Sequence, residues 1–249
     1  MNGQIFFTGG RTAALRYAEE LLRHRGFSFA DRPDSNVTHL LLGVPAFQPD
    51  GTLAGGGALA DFLPQLSKNV TVVGGNLNCP ALADYNTIDF LKDPLYLAEN
   101  ANITAHCAIK HAMCALPVTL YKCHILVVGW GRIGKCLAAL LKQMGAIVTV
   151  AARKETDRAI LQALGYETED PARLNYSLLR FRVIFNTAPE MVLSKESMQY
   201  CHKDCVKIDL ASAPGMDAED VIRARGLPGK DAPQTSGTLI ADTILRRIS

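Results

Sequence analysis

The residues whose spacing carries the most chemistry are Gly129-x-Gly131-x-x-Gly134, with Trp130, Arg132 and Ile133 between the glycines. An apolar run, Ile125 to Val128, leads into them, and an amphipathic segment, Lys135 to Met144, leads away. This order predicts a strand, a tight turn and a helix. Gly129 makes the turn, Gly131 lets backbone approach a pyrophosphate, and Gly134 lets the helix lie close to the strand. The helix start would then offer free N–H groups and a positive dipole end to phosphates. A second strand-like run, Ala146 to Ala151, follows at the spacing of a βαβ unit, so dinucleotide binding is the expected chemistry.

The end of that second strand bears on which dinucleotide binds. NAD sites place a carboxylate there to accept from the ribose hydroxyls. This chain instead reads Val150-Ala151-Ala152-Arg153-Lys154, with its first carboxylate at Glu155. A guanidinium can grip a 2′-phosphate that a carboxylate would repel, so Arg153 and Lys154 point to NADP over NAD. Asn186-Thr187-Ala188-Pro189 ends a fourth strand of this unit, and Ser212-x-Pro214-Gly215 a fifth. Both are expected on the nicotinamide side of the cofactor. Asp209, inside the fifth strand, is expected to anchor a neighbouring turn.

The elements that must position these residues fall into two α/β units. Residues 1–100 read as a smaller, flavodoxin-like α/β domain. Its strands lie at Ile5 to Thr8, Val37 to Gly43 and Val70 to Val73. Helices are expected over Thr12 to His24 and Leu59 to Leu66, a Pro/Gly-rich loop over Pro45 to Gly57, and irregular chain from Tyr85 to Pro94. Gly9-Gly10 and Gly74-Gly75 both close strands, where α/β sheets gather ligands. A connecting helix, Leu95 to Ala115, opens residues 101–237, a doubly wound parallel Rossmann domain. Residues 238–249 form an apolar-faced helix that can pack back on the first domain. A cleft between two such domains, with the cofactor on one wall, is the expected arrangement.

With 26 Lys and Arg against 24 Asp and Glu, the net charge is +2. That balance gives no global pull toward nucleic acid or membrane. No apolar run reaches transmembrane length, and Met1-Asn2 leads straight into a strand, so a cytoplasmic protein without a leader is expected. The seven cysteines are read as reduced, mostly buried small hydrophobes. Cys201-His202-x-x-Cys205 lacks a second ligand pair at usable spacing, so no metal is expected.

Several longer motifs carry a family resemblance. They are Tyr85-Asn86, Ile103-Thr104-Ala105, the glycine fingerprint, Asn186-Thr187-Ala188-Pro189, Ile208-Asp209-Leu210-Ala211-Ser212-x-Pro214-Gly215, and Gly226-Leu-Pro-Gly-x-x-Ala-Pro233-x-Thr235-x-Gly237. From Ala81 onward the chain resembles the family formed by the A subunits of dipicolinate synthase. The resemblance implies an architecture like that of D-2-hydroxyacid dehydrogenases and NADP-linked formation of dipicolinate from a hydroxy-tetrahydrodipicolinate precursor during sporulation. Its implied partner is a flavoprotein-like B subunit; a homo-oligomer is compatible with it.

The resemblance further implies a dicarboxylate substrate, for which Lys230, Thr235 and Ser236 offer a cation and helix-start donors, with Gly10 and Arg11 also assigned to the substrate. His106 is the candidate for proton transfer. The chain departs from the family in three places. Thr104-Ala105-His106-Cys107 stands where the family has Thr-Ala-Glu-Gly, and Gly9-Gly10-Arg11 stands for Gly-Gly-Asp. The segment from Gly215 to Gly226 is short, so the last strand is expected to be lost or shortened. Two alternatives stay open. One is a non-catalytic NADP-binding scaffold or sensor. The other is a D-2-hydroxyacid-type dehydrogenase, disfavoured because no His lies between Pro214 and Ser249 and no Arg directly follows Ser212.

Overall fold

The computed structural model describes residues 3–248. The reading of Met1-Asn2 as free of a leader, and Ser249 of the terminal helix, lie outside the described residues. The chain divides into two compact units, Met1–Asn100 with Pro228–Ser249, and Ala101–Leu227. The return to the first unit thus begins at Pro228 rather than at residue 238.

In the first unit, β1 (Ile5–Thr8), β2 (Ser28–Phe29), β3 (His39–Leu41), β4 (Thr71–Gly74) and β5 (Asn86–Asp89) form one parallel sheet in the order β2-β1-β3-β4-β5. This is the flavodoxin-like order. Helix α1 (Ala13–His24) starts where the Thr12 hydroxyl accepts from the Leu15 amide, and it buries Leu15, Ala18 and Leu22. Arg23 and His24 sit in its last turn, where cations favour the dipole, and Gly26 turns the chain at φ +87°.

Two segments of this unit differ from the sequence reading. Residues 85–94 are not irregular throughout: Asn86–Asp89 is an edge strand whose first two residues are exposed. An Asn-Thr-Ile-Asp strand has no apolar run to reveal it. Leu59 to Leu66 is two 3₁₀ turns rather than one helix, broken at Phe62 ahead of Pro64.

A long helix, α2 (Pro94–Ala115), leads from the first unit into the second. There β6 (His124–Val128), α3 (Arg132–Gln143), β7 (Ile147–Ala151), α4 (Glu155–Ala163), β8 (Glu167–Glu169), β9 (Val183–Asn186), α5 (Lys195–Met198), β10 (Val206–Asp209) and β11 (Val221–Arg223) follow. The parallel sheet runs β11-β10-β9-β6-β7-β8, the doubly wound Rossmann order. Central strands of such sheets are covered on both faces, and Ile125 to Val128 are accordingly buried. The last strand is retained but reduced to three residues.

The chain ends with α6 (Leu227–Asp231) and α7 (Pro233–Ile248). Lys230 therefore sits on a short helix, not in a turn. Because α7 begins at Pro233, Thr235 and Ser236 lie inside its first turn rather than at an N-cap. Helix α7 packs on α1 through Gly237. A Cβ there would meet the Tyr17 Cβ at 2.6 Å and the Ala14 carbonyl oxygen. Asp93 accepts from the Leu95 and Tyr96 amides at the start of α2 and from Arg246 of α7 at 3.0 Å.

Candidate functional site

At the carboxyl ends of β6, β7 and β9 lies a cavity of about 240 Å³, bounded by Gly129, Trp130, Gly131, Arg153, Lys154 and Thr187 among others. The strand order reverses between β6 and β9, and open α/β sheets hold ligands at such a point. Two of the three fingerprint glycines have a distinct steric reason within the protein. Gly129 has φ +101°, and a Cβ on it would come within 2.5 Å of the Thr187 hydroxyl. A Cβ on Gly134 would collide with the Gly129 carbonyl oxygen, so this contact fixes helix α3 against the turn. Around Gly131 a Cβ would meet nothing within 4 Å. Gly131 is kept small by no protein neighbour, and space beside it is open.

Gly131 is also the N-cap of α3 and supplies no side-chain acceptor. The first-turn amides, including those of Arg132 and Ile133, are left without the hydroxyl or carboxylate cap that many helices carry. An uncapped helix start next to open space can take a phosphate or pyrophosphate. Trp130 is half-buried, its ring edge-on to Tyr166, with Lys135 over its face.

Arg153 stands at the end of β7 and is largely exposed. Its guanidinium reaches Glu190, past the end of β9, at 3.0 Å. Arg158 donates to the carbonyls of Ala152 and Arg153 at 2.6 and 2.8 Å and so holds the backbone that carries Arg153. Lys154 is the N-cap of α4 and is exposed. The sequence reading passed over both Glu190 and Arg158. An Arg five residues after Arg153 on a helix start was the available signal for Arg158; nothing local announces Glu190.

The strand-end motifs divide in two. The Thr187 hydroxyl donates to the Val128 carbonyl at 2.9 Å, and Thr187, Ala188 and Pro189 line the cavity. Asn186 is fully buried, and its side chain is used internally. Its amide nitrogen donates to Ala188 O and Asp209 Oδ1, while its oxygen accepts from the Ala188 amide. Asp209 accepts as well from the amides of Ala211 and Gly215 and from Arg223 at 3.3 Å. Gly215 fits because any Cβ would run into the Asn186 amide. This buried network shapes the β9 and β10 ends from behind; Ser212 is exposed and outside the cavity lining.

The remaining candidates are not gathered here. His106 is exposed on α2 and lines none of the described cavities. Lys230 and Thr235 lie outside this cavity too, and Ser236 is buried in α7. Gly10 and Arg11 line a different cavity, within the first unit. All seven cysteines are free thiols. Among the described residues no His, Cys, Asp and Glu cluster could hold a metal ion, and no helix is long and apolar enough to cross a membrane.

Comparison with known proteins places this geometry among relatives. No family model matches the chain. It is 26% identical over 176 residues to the A subunit of dipicolinate synthase from Bacillus subtilis (strain 168); the match covers 68% of this chain and 54% of that protein, so it spans about half the relative's length. The crystal structure of the A subunit of dipicolinate synthase from Bacillus halodurans superposes with a TM-score of 0.87 at 22% identity, covering 99% of this chain and 98% of that one. A Salmonella D-lactate dehydrogenase shares the fold at a TM-score of 0.67 and 13% identity, covering 98% and 95%. The chain is thus similar to the dipicolinate synthase A subunits in sequence and in fold, and it has the Rossmann-type architecture of dehydrogenases.

Proposed function

We propose that this chain is an NADP-dependent oxidoreductase subunit of the dipicolinate synthase type, forming dipicolinate from a hydroxy-tetrahydrodipicolinate precursor in the cytoplasm of sporulating cells, partnered by a B subunit. The observation that carries the reading is the uncapped start of α3 at Gly131, with open space beside it and Arg153 across the same cavity. The residues fit a dinucleotide. The α3 amides would hold the pyrophosphate, and Arg153 with Lys154 the 2′-phosphate. Thr187 and Ala188 bound the strand end where such sites face the nicotinamide. The similarity to the dipicolinate synthase A subunits supports the substrate class.

Converting the precursor to dipicolinate removes water, and then one hydride and one proton. Bound nicotinamide supplies the hydride acceptor. The chain's own task is to fix the cofactor and to move protons. The Asn186–Asp209–Arg223 network holds the β9 end in place, and His106 is the proposed proton acceptor, with Lys230 and Thr235 assigned to substrate carboxylates and Ser236, buried in α7, set aside. The test is turnover: the purified chain with its B partner, precursor and NADP should yield NADPH and dipicolinate together.

A second reading, a cofactor-binding subunit without turnover, draws on one observation. No histidine lines the dinucleotide cavity, and His106 lies exposed elsewhere on the second unit. Tight NADP binding with no product in the complete assay would select it.

A further inference from the structure

A cavity larger than the dinucleotide site belongs wholly to the first unit and has no part in that site. It measures about 810 Å³ and lies at the carboxyl ends of β1 and β2. In the order β2-β1-β3-β4-β5 the chain reverses direction across the sheet beside β1, so this unit has its own switch point, and the cavity opens there. Its volume lies within the range of small-molecule sites.

The walls are held together by glycine. Gly10, Gly55, Gly56 and Gly57 all have φ between +84° and +96°. The Arg11 amide donates to the Gly55 carbonyl at 3.3 Å, and a Cβ on Gly55 would collide with the Arg11 backbone. The β1 turn and the 55–57 loop therefore pack backbone to backbone. Among the described residues, the amides of Gly10 and Gly57 have no hydrogen-bond acceptor.

Charge in this cavity is unevenly settled. Four arginines line it: Arg11, Arg16, Arg23 and Arg32. Arg23 is neutralised by Glu19 at 2.7 Å, and Glu19 also accepts from Thr8. Asp61 accepts from the Ala58 amide. Among the described residues this leaves Arg11, Arg16 and Arg32 without an anionic partner, against Asp31 and Asp61, whose amide hydrogen bond leaves its charge in place, so cations exceed carboxylates. Phe7 and Phe62 meet edge-to-face and give the same cavity an apolar part of its lining. Unpaired guanidinium forks, free amides and an aromatic part of the lining are complementary to an organic molecule with two or more negative charges.

We propose that this cavity is a second small-molecule site, taking a small organic polyanion whose charge is carried by carboxylates or a phosphate. It does not depend on the cofactor assignment, because no residue lines both this cavity and the dinucleotide cavity. The test is calorimetric titration of the full chain with dipicolinate, ribose 5-phosphate and inorganic phosphate. It is repeated with Arg11→Ala, Arg32→Ala and the double variant, with Arg153→Ala as the control for the cofactor site. Binding of dipicolinate or ribose 5-phosphate is expected, and the probe that binds identifies the charge carrier. Each arginine variant should bind about ten- to a hundred-fold more weakly, while Arg153→Ala binds as wild type does. Both arginines are exposed, so circular dichroism should show the variants folded. Three outcomes would overturn the proposal: no organic probe binds, binding survives the double variant, or only inorganic phosphate binds.

Discussion

Arg153 and Glu190 form an ion pair at 3.0 Å, joining the loop after β7 to the loop after β9 at the dinucleotide cavity. The guanidinium proposed to hold a 2′-phosphate is thus already held by a carboxylate. Both side chains are substantially exposed, so the pair itself is worth only about 0.2–1 kcal/mol. A phosphate can compete for Arg153 at that small cost. Glu190→Gln should therefore tighten NADP binding by up to about five-fold and leave NAD unchanged. Unchanged NADP affinity would show that Glu190 does not compete.

The glycines separate fold from binding. Gly131→Ala adds a methyl group where nothing lies within 4 Å, so thermal stability should hold, while NADP binding weakens because the backbone can no longer approach the phosphates. Gly129→Ala forces φ +101° on alanine and drives a Cβ toward the Thr187 hydroxyl. That change should cost about 1–3 kcal/mol and lower the melting temperature by several degrees. Scanning calorimetry of both variants checks this. An equal loss of stability in the two would contradict the steric account.

The network behind the site predicts a large structural effect. Asp209→Ala removes the acceptor of Asn186, Ala211, Gly215 and Arg223 at once, with Asp209 itself 3% exposed. Breaking such a buried ionic group costs about 3–5 kcal/mol. Urea denaturation should show a lower midpoint, and Arg223→Ala a smaller drop because its side chain is 45% exposed. A drop of under about 1 kcal/mol for Asp209→Ala would mean that the network does not hold the strand ends.

Acid should loosen the first unit through Asp93. Burial of its carboxyl opposes ionisation, but Arg246 and the Tyr96 and Leu95 amides outweigh it and hold its pKa below the ordinary 3.8. A carboxylate with a lowered folded value stabilises the protein above its unfolded value. That contribution should fade as pH drops from about 3.8 through the lowered value. Arg246→Ala should flatten this part of the stability profile. A variant profile parallel to wild type would rule out the pair as its source.

What could be read in the sequence was the local pattern. The β6 turn and α3 start were legible because strand, glycines and helix stand in one stretch, and Arg153 because it ends the next strand. Glu190 was not, since it reaches Arg153 across 37 residues of sequence and only the sheet order brings them together. The Asn186–Asp209–Arg223 network was hidden for the same reason, although a lone Asp inside an apolar strand hinted at a structural role. Strand β5 was missed because its edge position lets it be polar, and the helix start at α7 because Thr235 and Ser236 resemble caps.

The most direct test of the central claim is a calorimetric titration of NADP and NAD against wild type and Arg153→Ala. If Arg153 holds the 2′-phosphate, the variant loses one or two charge-assisted hydrogen bonds, each worth about 1.5–3 kcal/mol. NADP affinity should fall by roughly ten- to several-hundred-fold while NAD affinity stays within about two-fold. Equal loss for both cofactors would mean that Arg153 only supports its loop and would contradict the NADP assignment.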